Sequence, residues 1–237
     1  MRNRRQASVG LILGMTILAT AAAAAGPGSR DQNPWGTTSF SADKAKLISR
    51  GTNPYFILEP GYTLVLADGN ERLVITVLDE TKLVDGVETR IVEERESKNG
   101  KLVEVSRNFF AFSTADRGVY YFGEEVDIYK NGKIVDHEGA WESGKNGARF
   151  GLAMPAEVEL GARYYQEVAP GVAMDRAEIT GLHETLKTPA GEFKDCLKVA
   201  ETTPLEKGAK ESKLYAPGVG LIKDASLLLV EYGFLKK

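Results

Sequence analysis

The chain has a single cysteine and very little histidine. Cys196 is the only cysteine among 237 residues, and two histidines occur. One cysteine excludes an intrachain disulfide and any metal site built from clustered thiolates. The fold must therefore be stabilised by an apolar core, and the chain is long enough to bury one.

The sequence motifs of several enzyme classes are also missing. There is no G-x-S-x-G nucleophile elbow and no H-E-x-x-H zinc helix. His137 and His183 each precede a glutamate, but adjacent residues on a strand point to opposite faces, so neither pair aims both groups at one ion. We assign no catalytic residue, no metal ligand and no cofactor.

Basic residues are too few to form a binding stripe. The chain has 30 basic and 33 acidic residues, which gives a net charge of -3. Nucleic acids and anionic membrane surfaces favour a concentrated positive patch. The composition therefore predicts no nucleic-acid partner.

The first 25 residues have the pattern of a secretory signal peptide. Arg2, Arg4 and Arg5 precede an uncharged, mostly apolar run over residues 9–20, and small residues follow up to Ala25. Cleavage there would leave a chain with a net charge of -6. A retained membrane anchor is the alternative, but the alanine-rich half of the run is weakly apolar. We predict a secreted or periplasmic protein with no membrane span after removal of the signal.

Residues 26–52 are rich in Gly, Ser, Thr and Asn and show little periodicity. We predict a flexible N-terminal segment here. Its one candidate element is a short helix over residues 42–49, with Ser41 as the N-cap. The single compact domain is predicted to span residues 53–237.

Turn signals divide that domain into short strands. Asp-Gly or Asn-Gly pairs begin at Asp68, Asp85, Asn99 and Asn131, between runs rich in Val, Ile and Phe. A two-residue type I′ turn needs positive φ at both central positions, which Asn and Gly tolerate best. Lys-Asn-Gly also recurs at Asn146, but no acidic or aromatic residue recurs at matching offsets. We therefore interpret the repeat as turn chemistry and not as a repeated ligand loop.

The remaining pattern predicts the fold class. Pro-Gly pairs at Pro60, Pro170 and Pro217 favour type II turns, and short connections imply antiparallel neighbours. We predict an all-β fold with one large antiparallel sheet of roughly 10–14 strands, curled into a half barrel or folded into a sandwich. Around Cys196, we predict a bulge at Asp195 that turns the thiol inward, because free cysteines are usually buried.

Four blocks occur in a fixed order within residues 53–224, namely "NPYFILEPGYT", "VYYFGEEV", "PGVAMDRAEI" and "KLYAPGVGLIKD". This series of blocks resembles a recurrent, uncharacterised family of bacterial secreted proteins. The resemblance brings no activity, ligand or catalytic residue to any position. The last block is also similar to the end of envelope β proteins related in outline to lipoprotein carriers.

Four strand segments are apolar on both faces, namely residues 108–112, 119–122, 163–165 and 227–230. Such strands are covered on both sides, either by a second layer of an ordinary sandwich core or by an apolar ligand or partner on a curved sheet. Under the second interpretation, the predicted ligand-binding residues are Phe110, Tyr120, Phe122, Tyr164 and Tyr165.

We predict a non-enzymatic binding or envelope-associated module that holds an apolar molecule or an envelope component on a concave sheet face. A cavity lined by Phe and Tyr would favour this function. One alternative is a secreted carbohydrate-active enzyme with paired carboxylates in the stretch Glu124, Glu125 and Asp127. The other is a purely structural cell-surface domain, which a filled interior would favour.

Overall fold

The computed structural model describes Trp35 and residues 42–234. Within these residues the chain forms a short 3-10 helix, Lys44–Lys46, and eighteen strands. No helix in the described part is long and apolar enough to cross a membrane. In chain order the strands are β1 Leu47–Ile48, β2 Gly51–Asn53, β3 Phe56–Leu58, β4 Tyr62–Asp68, β5 Glu71–Val84, β6 Val87–Lys98, β7 Lys101–Ser113, β8 Val119–Lys130, β9 Lys133–Asp136, β10 Trp141–Glu142, β11 Arg149–Met154, β12 Arg163–Tyr165, β13 Glu167–Val168, β14 Arg176–Thr188, β15 Gly191–Thr202, β16 Lys210–Ala216, β17 Gly220–Asp224 and β18 Leu227–Phe234.

Sixteen of these strands form one antiparallel sheet. Its main path runs β12-β14-β15-β16-β17-β18-β4-β5-β6-β7-β8-β11-β13, while β1 pairs beside it with β7, and β9 and β10 pair with β8. β2 and β3 form a separate two-stranded sheet. The predicted all-β class and large antiparallel sheet are confirmed. Of the two shapes considered, the sheet takes the curled one and is nearly closed like a barrel.

The chain itself joins the two edges of the large sheet. β12 pairs with β14 at one edge and β13 pairs with β11 at the other, and only Gln166 separates β12 from β13. Gly151 on β11 lies so close to this crossing that a Cβ atom there would be 2.3 Å from the Gln166 carbonyl oxygen. The crossing therefore brings both edges together and gives the sheet an inner and an outer face.

The turns have the predicted chemistry. Asp85, Asn99, Asn131 and Asn146 have positive φ, and so does the glycine after each of them. Both central positions therefore meet the type I′ requirement. The first hairpin differs, since only Gly69 has positive φ between β4 and β5, which is typical of a type II′ turn. The glycines of all three Pro-Gly pairs also have positive φ, as type II turns require.

A bulge in β8 decides which aromatic residues face inward. Asn108 of β7 pairs with Glu124, but Phe110 pairs with Tyr121, so β8 contains one extra residue. Gly123 lies in this bulge with φ 143°. Strict alternation would place the side chain of Phe122 on the same face as that of Glu124. Because of the extra residue, the side chain of Tyr121 lies on the same face as that of Glu124, and the side chain of Phe122 lies on the opposite face.

Two main apolar clusters lie on the two faces of the sheet. The larger one is on the inner face and includes Leu66, Leu73, Ile179 and Leu229. The smaller one is on the outer face and contains these side chains: Leu47, Val84, Val87, Ile91, Phe109, Ala111, Tyr120, Phe122 and Phe150. Each face of the central strands is therefore covered, as their apolar pattern predicts.

The compact fold begins earlier than the sequence pattern indicates. Residues 42–52, predicted to belong to a flexible segment, contain the 3-10 helix, β1 and the first two residues of β2. The physical reason is Leu47, which is buried against the outer cluster. Asp43 caps the helix by accepting a hydrogen bond from the Ala45 amide. The predicted signal peptide and Ser41 lie outside the described residues, whereas the Trp35 ring lies 4.4 Å from the guanidinium carbon of Arg176.

The predicted bulge near Cys196 is confirmed. Glu184 pairs with Cys196 and Leu186 with Phe193, so β15 has one extra residue at this point. Asp195 has φ 53° and the side chain of Cys196 is fully buried. Burial raises the pKa of the Cys196 thiol, and the Asp195 and Glu184 carboxylates add to that shift. The thiol is therefore held in its unreactive form.

Candidate ligand cavity

The curled sheet encloses a cavity of about 1160 Å³. Pockets that bind small molecules commonly measure about 300–1,000 Å³. The cavity is therefore large enough for a molecule of lipid size. Its wall has an apolar part and an acidic part.

The apolar part combines the small β2–β3 sheet with the inner faces of β4 to β7. Phe56 packs on Phe110 with ring centroids 5.0 Å apart, and Phe110 stacks on Tyr121 at 4.8 Å. Alternation along the strands directs every second side chain inward. Apolar lining residues include Phe56, Ile57, Leu64, Ile75, Val77, Val92, Phe110 and Ala153.

The acidic part is built from carboxylates on several strands. The lining residues here are Glu94 of β6, Glu124 of β8, Glu167 of β13, Glu201 of β15, Asp224 of β17 and Asp175, just before β14. Lys213 of β16 is the ammonium group placed among them. These acids are far apart in the sequence, so the sheet has to close before they share one site.

Lys213 is engaged mainly with one of these acids. Its Nζ lies 2.8 Å from Glu201 Oε2 and 4.0 Å from Asp224 Oδ2. Burial alone would lower the pKa of Lys213, but the Asp224 and Glu201 carboxylates raise it well above its usual value. Lys213 is therefore charged, and its hydrogen bond goes to Glu201.

Asp224 and Glu94 are two cavity acids with incomplete hydrogen bonding, and Glu206 Oε2 near the opening also lacks a donor in the described part of the chain. Asp224 is 1% exposed, and no group in the described part of the chain donates to either of its carboxylate oxygens. One oxygen of Glu94 also lacks a donor there. Burial, opposed by Lys213 and reinforced by nearby acids, raises the pKa of Glu94 to about 8 and that of Asp224 to about 7.

A second group of acids lies beside Tyr121. The Tyr121 hydroxyl donates to Asn108 Oδ1 at 2.6 Å, and Glu167 Oε1 accepts the Asp175 amide at 2.5 Å. Burial and repulsion between carboxylates raise the pKa of Glu124 and of Glu167 well above the usual range. The same causes raise the pKa of Asp175 to about 6. The cavity thus holds more acidic groups than Lys213 can neutralise.

The cavity opens to solvent between loops. Residues 138–140, 171–173 and 205–209 line it, and several of them are exposed. Val172 is 48% exposed and Leu205 is 43% exposed. Apolar side chains at an opening lower the cost of admitting an apolar molecule.

Of the five predicted ligand-binding residues, Phe110 lines the cavity. Tyr120 and Phe122 lie in the outer cluster, because the bulge at Gly123 reverses their orientation. Tyr164 faces inward opposite Ala177 and packs in the inner cluster without lining the cavity. Tyr165 is buried opposite Arg176 and points the other way. The structure therefore does not gather the five residues in one site.

The carboxylates considered for an enzyme also lie apart from the cavity acids, except for Glu124. Glu125 forms an ion pair with Lys82 at 2.7 Å. Asp127 contacts Arg107 at 3.5 Å and His137 at 3.0 Å. Among the described residues, no group of three or more His, Cys, Asp or Glu is arranged to hold a metal ion.

Comparison with protein-family models, with curated proteins and with solved structures yields no match to this chain. The family resemblance of the sequence blocks therefore remains a prediction.

Proposed function

We propose that the protein is a secreted or periplasmic binding module that carries a small apolar molecule inside its curled sheet. The observation that supports this function is the cavity of about 1160 Å³ with Phe and Tyr in its wall. A purely structural domain would be expected to fill such a space with side chains, because protein interiors are close-packed.

The apolar wall gives the physical reason for binding. Phe56, Ile57 and Ile75 are only partly buried although they belong to the inner layer, because they face the cavity. Covering apolar surface contributes roughly 25 cal/mol per Å². A ligand that displaces water from these side chains is therefore stabilised.

A pair of Trp substitutions tests the proposal. Ala153 lines the cavity on β11, so Ala153→Trp adds bulk to the ligand space. Val135 on β9 is 57% exposed, so Val135→Trp adds bulk at the surface and is the matched control. We expect a neutral fluorescent naphthylamine probe to bind the wild type and Val135→Trp equally, and to bind Ala153→Trp at least about tenfold more weakly, as expected for lost burial of one ring-sized group.

Native mass spectrometry of protein purified from its own host provides a second measurement. We expect a bound small molecule in the wild type and less of it in Ala153→Trp. Failure of the wild type to take up any neutral apolar probe would contradict the proposal, as would equal uptake by both Trp variants.

A further inference from the structure

We propose that the ligand is an amphiphile that carries a cationic amine or guanidinium group, and that Asp224 and Glu94 bind this group. The inference rests on the binding function proposed above and specifies the ligand class of the same cavity.

Asp224 provides the main observation. It lies directly opposite Lys213 in the β16–β17 ladder, lines the cavity and is 1% exposed. The Lys213 Nζ is 4.0 Å from the nearer oxygen, beyond hydrogen-bond distance, and is already bonded to Glu201. A buried carboxylate without a donor is unfavourable. A ligand that brings N–H donors to Asp224 would remove that penalty.

Glu94 places the acidic and apolar parts of the wall side by side. It pairs with Ile75 across β5 and β6, two residues from Val92 on the same face. One of its oxygens is buried and has no donor in the described part of the chain. An amphiphile with its apolar body against Ile75 and Val92 therefore has its head group within reach of Glu94.

The charges in the wall favour a cation over an anion. Asp175 lines the same cavity and is ionised above neutral pH, because burial and repulsion from Glu201 raise its pKa only to about 6, whereas Lys213 is held by Glu201. Lys207 and Lys210 lie at exposed positions near the opening. The carboxylate of a fatty acid would meet repulsion in the interior. An ammonium or guanidinium group can bond carboxylates that are spread along a wall, and it does so without the close coordination shell that a metal ion needs.

Three ligands with the same alkyl chain test the proposal. Dodecylammonium, dodecanol and dodecanoate are titrated separately at pH 8.5, below the concentration at which each aggregates. We expect dodecylammonium to bind about tenfold or more tightly than dodecanol, since a hydrogen bond to a charged partner accounts for such a factor. Dodecanoate should bind more weakly than dodecanol.

Charge-neutral variants then test which carboxylates cause the preference for dodecylammonium over dodecanol. Asp224→Asn and Glu94→Gln, made separately, should each reduce the preference for dodecylammonium and leave dodecanol binding unchanged. Glu192→Gln, at an exposed position on β15, is the control and should keep it. Two independent variants protect the test against misfolding of either one.

The outcomes separate this inference from the proposed function. Equal binding of dodecylammonium and dodecanol would overturn the cation site while retaining the apolar cavity. A preference that persists in both variants would assign the attraction to the overall negative charge and overturn the inference too. Failure of all three ligands to bind would contradict both proposals.

Discussion

Phe122 is packed on all sides in the outer cluster. Its side chain is fully buried, and its ring stacks on that of Phe150 with centroids 4.6 Å apart. Removing a buried aromatic ring commonly costs about 3–5 kcal/mol. We therefore expect Phe122→Ala to lower the free energy of unfolding by about that amount, as measured by urea denaturation. Probe affinity of the folded protein should stay unchanged, because Phe122 lies outside the cavity.

Phe56→Ala is the matched comparison, since Phe56 is only partly buried and lines the cavity. We expect it to lose less stability and more probe affinity than Phe122→Ala. Loss of probe binding in folded Phe122→Ala protein would show that the outer cluster contributes to the ligand site.

The bulge in β8 depends on one glycine. A Cβ atom on Gly123 would lie 2.4 Å from the Trp141 carbonyl oxygen and 2.9 Å from the Glu142 Cα atom. β10 approaches β8 at this point, where Glu142 pairs with Gly123. We expect Gly123→Ala to destabilise the protein by more than about 1 kcal/mol, because strained backbone and a clash with backbone atoms act together. A shift in Trp141 fluorescence should accompany the change.

Gly191 separates these two causes. Its φ of 147° is close to that of Gly123, but the nearest atom to the Cβ that an alanine would add lies in the Phe193 ring, 4.0 Å away. Gly191→Ala therefore measures backbone strain without a clash. If Gly191→Ala and Gly123→Ala cost the same free energy, the contact between β10 and β8 does not constrain the bulge.

Elements that depend on local chemistry were predictable, whereas the bulge in β8 was not. Asn99 and Asn131 predicted their hairpins because type I′ turns depend on two adjacent residues. Gly123 was the only signal for the bulge, and an isolated glycine in a strand does not say which neighbour approaches it. Since the bulge reverses the alternation beyond it, Tyr121 and not Tyr120 or Phe122 reaches the cavity.

At the scale of the whole molecule, the cavity exists because the crossing at Gln166 joins the two edges of the sheet. The pairings on either side of Gln166, β11 with β13 and β12 with β14, are short-range in the sequence, but no local pattern predicts that these two edges of the sheet meet. For the same reason the sequence did not reveal the acidic wall. Glu94 lies in the run "VEERES", where both strand phases are polar, so alternation alone cannot say which carboxylates face inward.

Glu96 and Glu104, two acids that do not line the cavity, make the stability of the fold depend on pH. Burial raises the pKa of Glu96 to about 7, with Lys213 opposing and Glu71 adding to the shift, and burial with repulsion from Glu96 raises that of Glu104 to about 8. Both side chains lie opposite each other on β6 and β7. Because the folded state binds these protons more tightly than the unfolded chain, the stabilisation is complete below the ordinary pKa of 4.5 and is lost as the pH rises through 7 to 8.

We therefore expect the melting temperature to fall between pH 5 and pH 9. Glu104→Gln should melt higher than the wild type at pH 9 but not at pH 5, whereas the surface control Glu192→Gln should follow the wild type at both. A melting temperature that rises over this range, or an equal gain from Glu192→Gln, would show that these acids are not held in the protonated form by the fold.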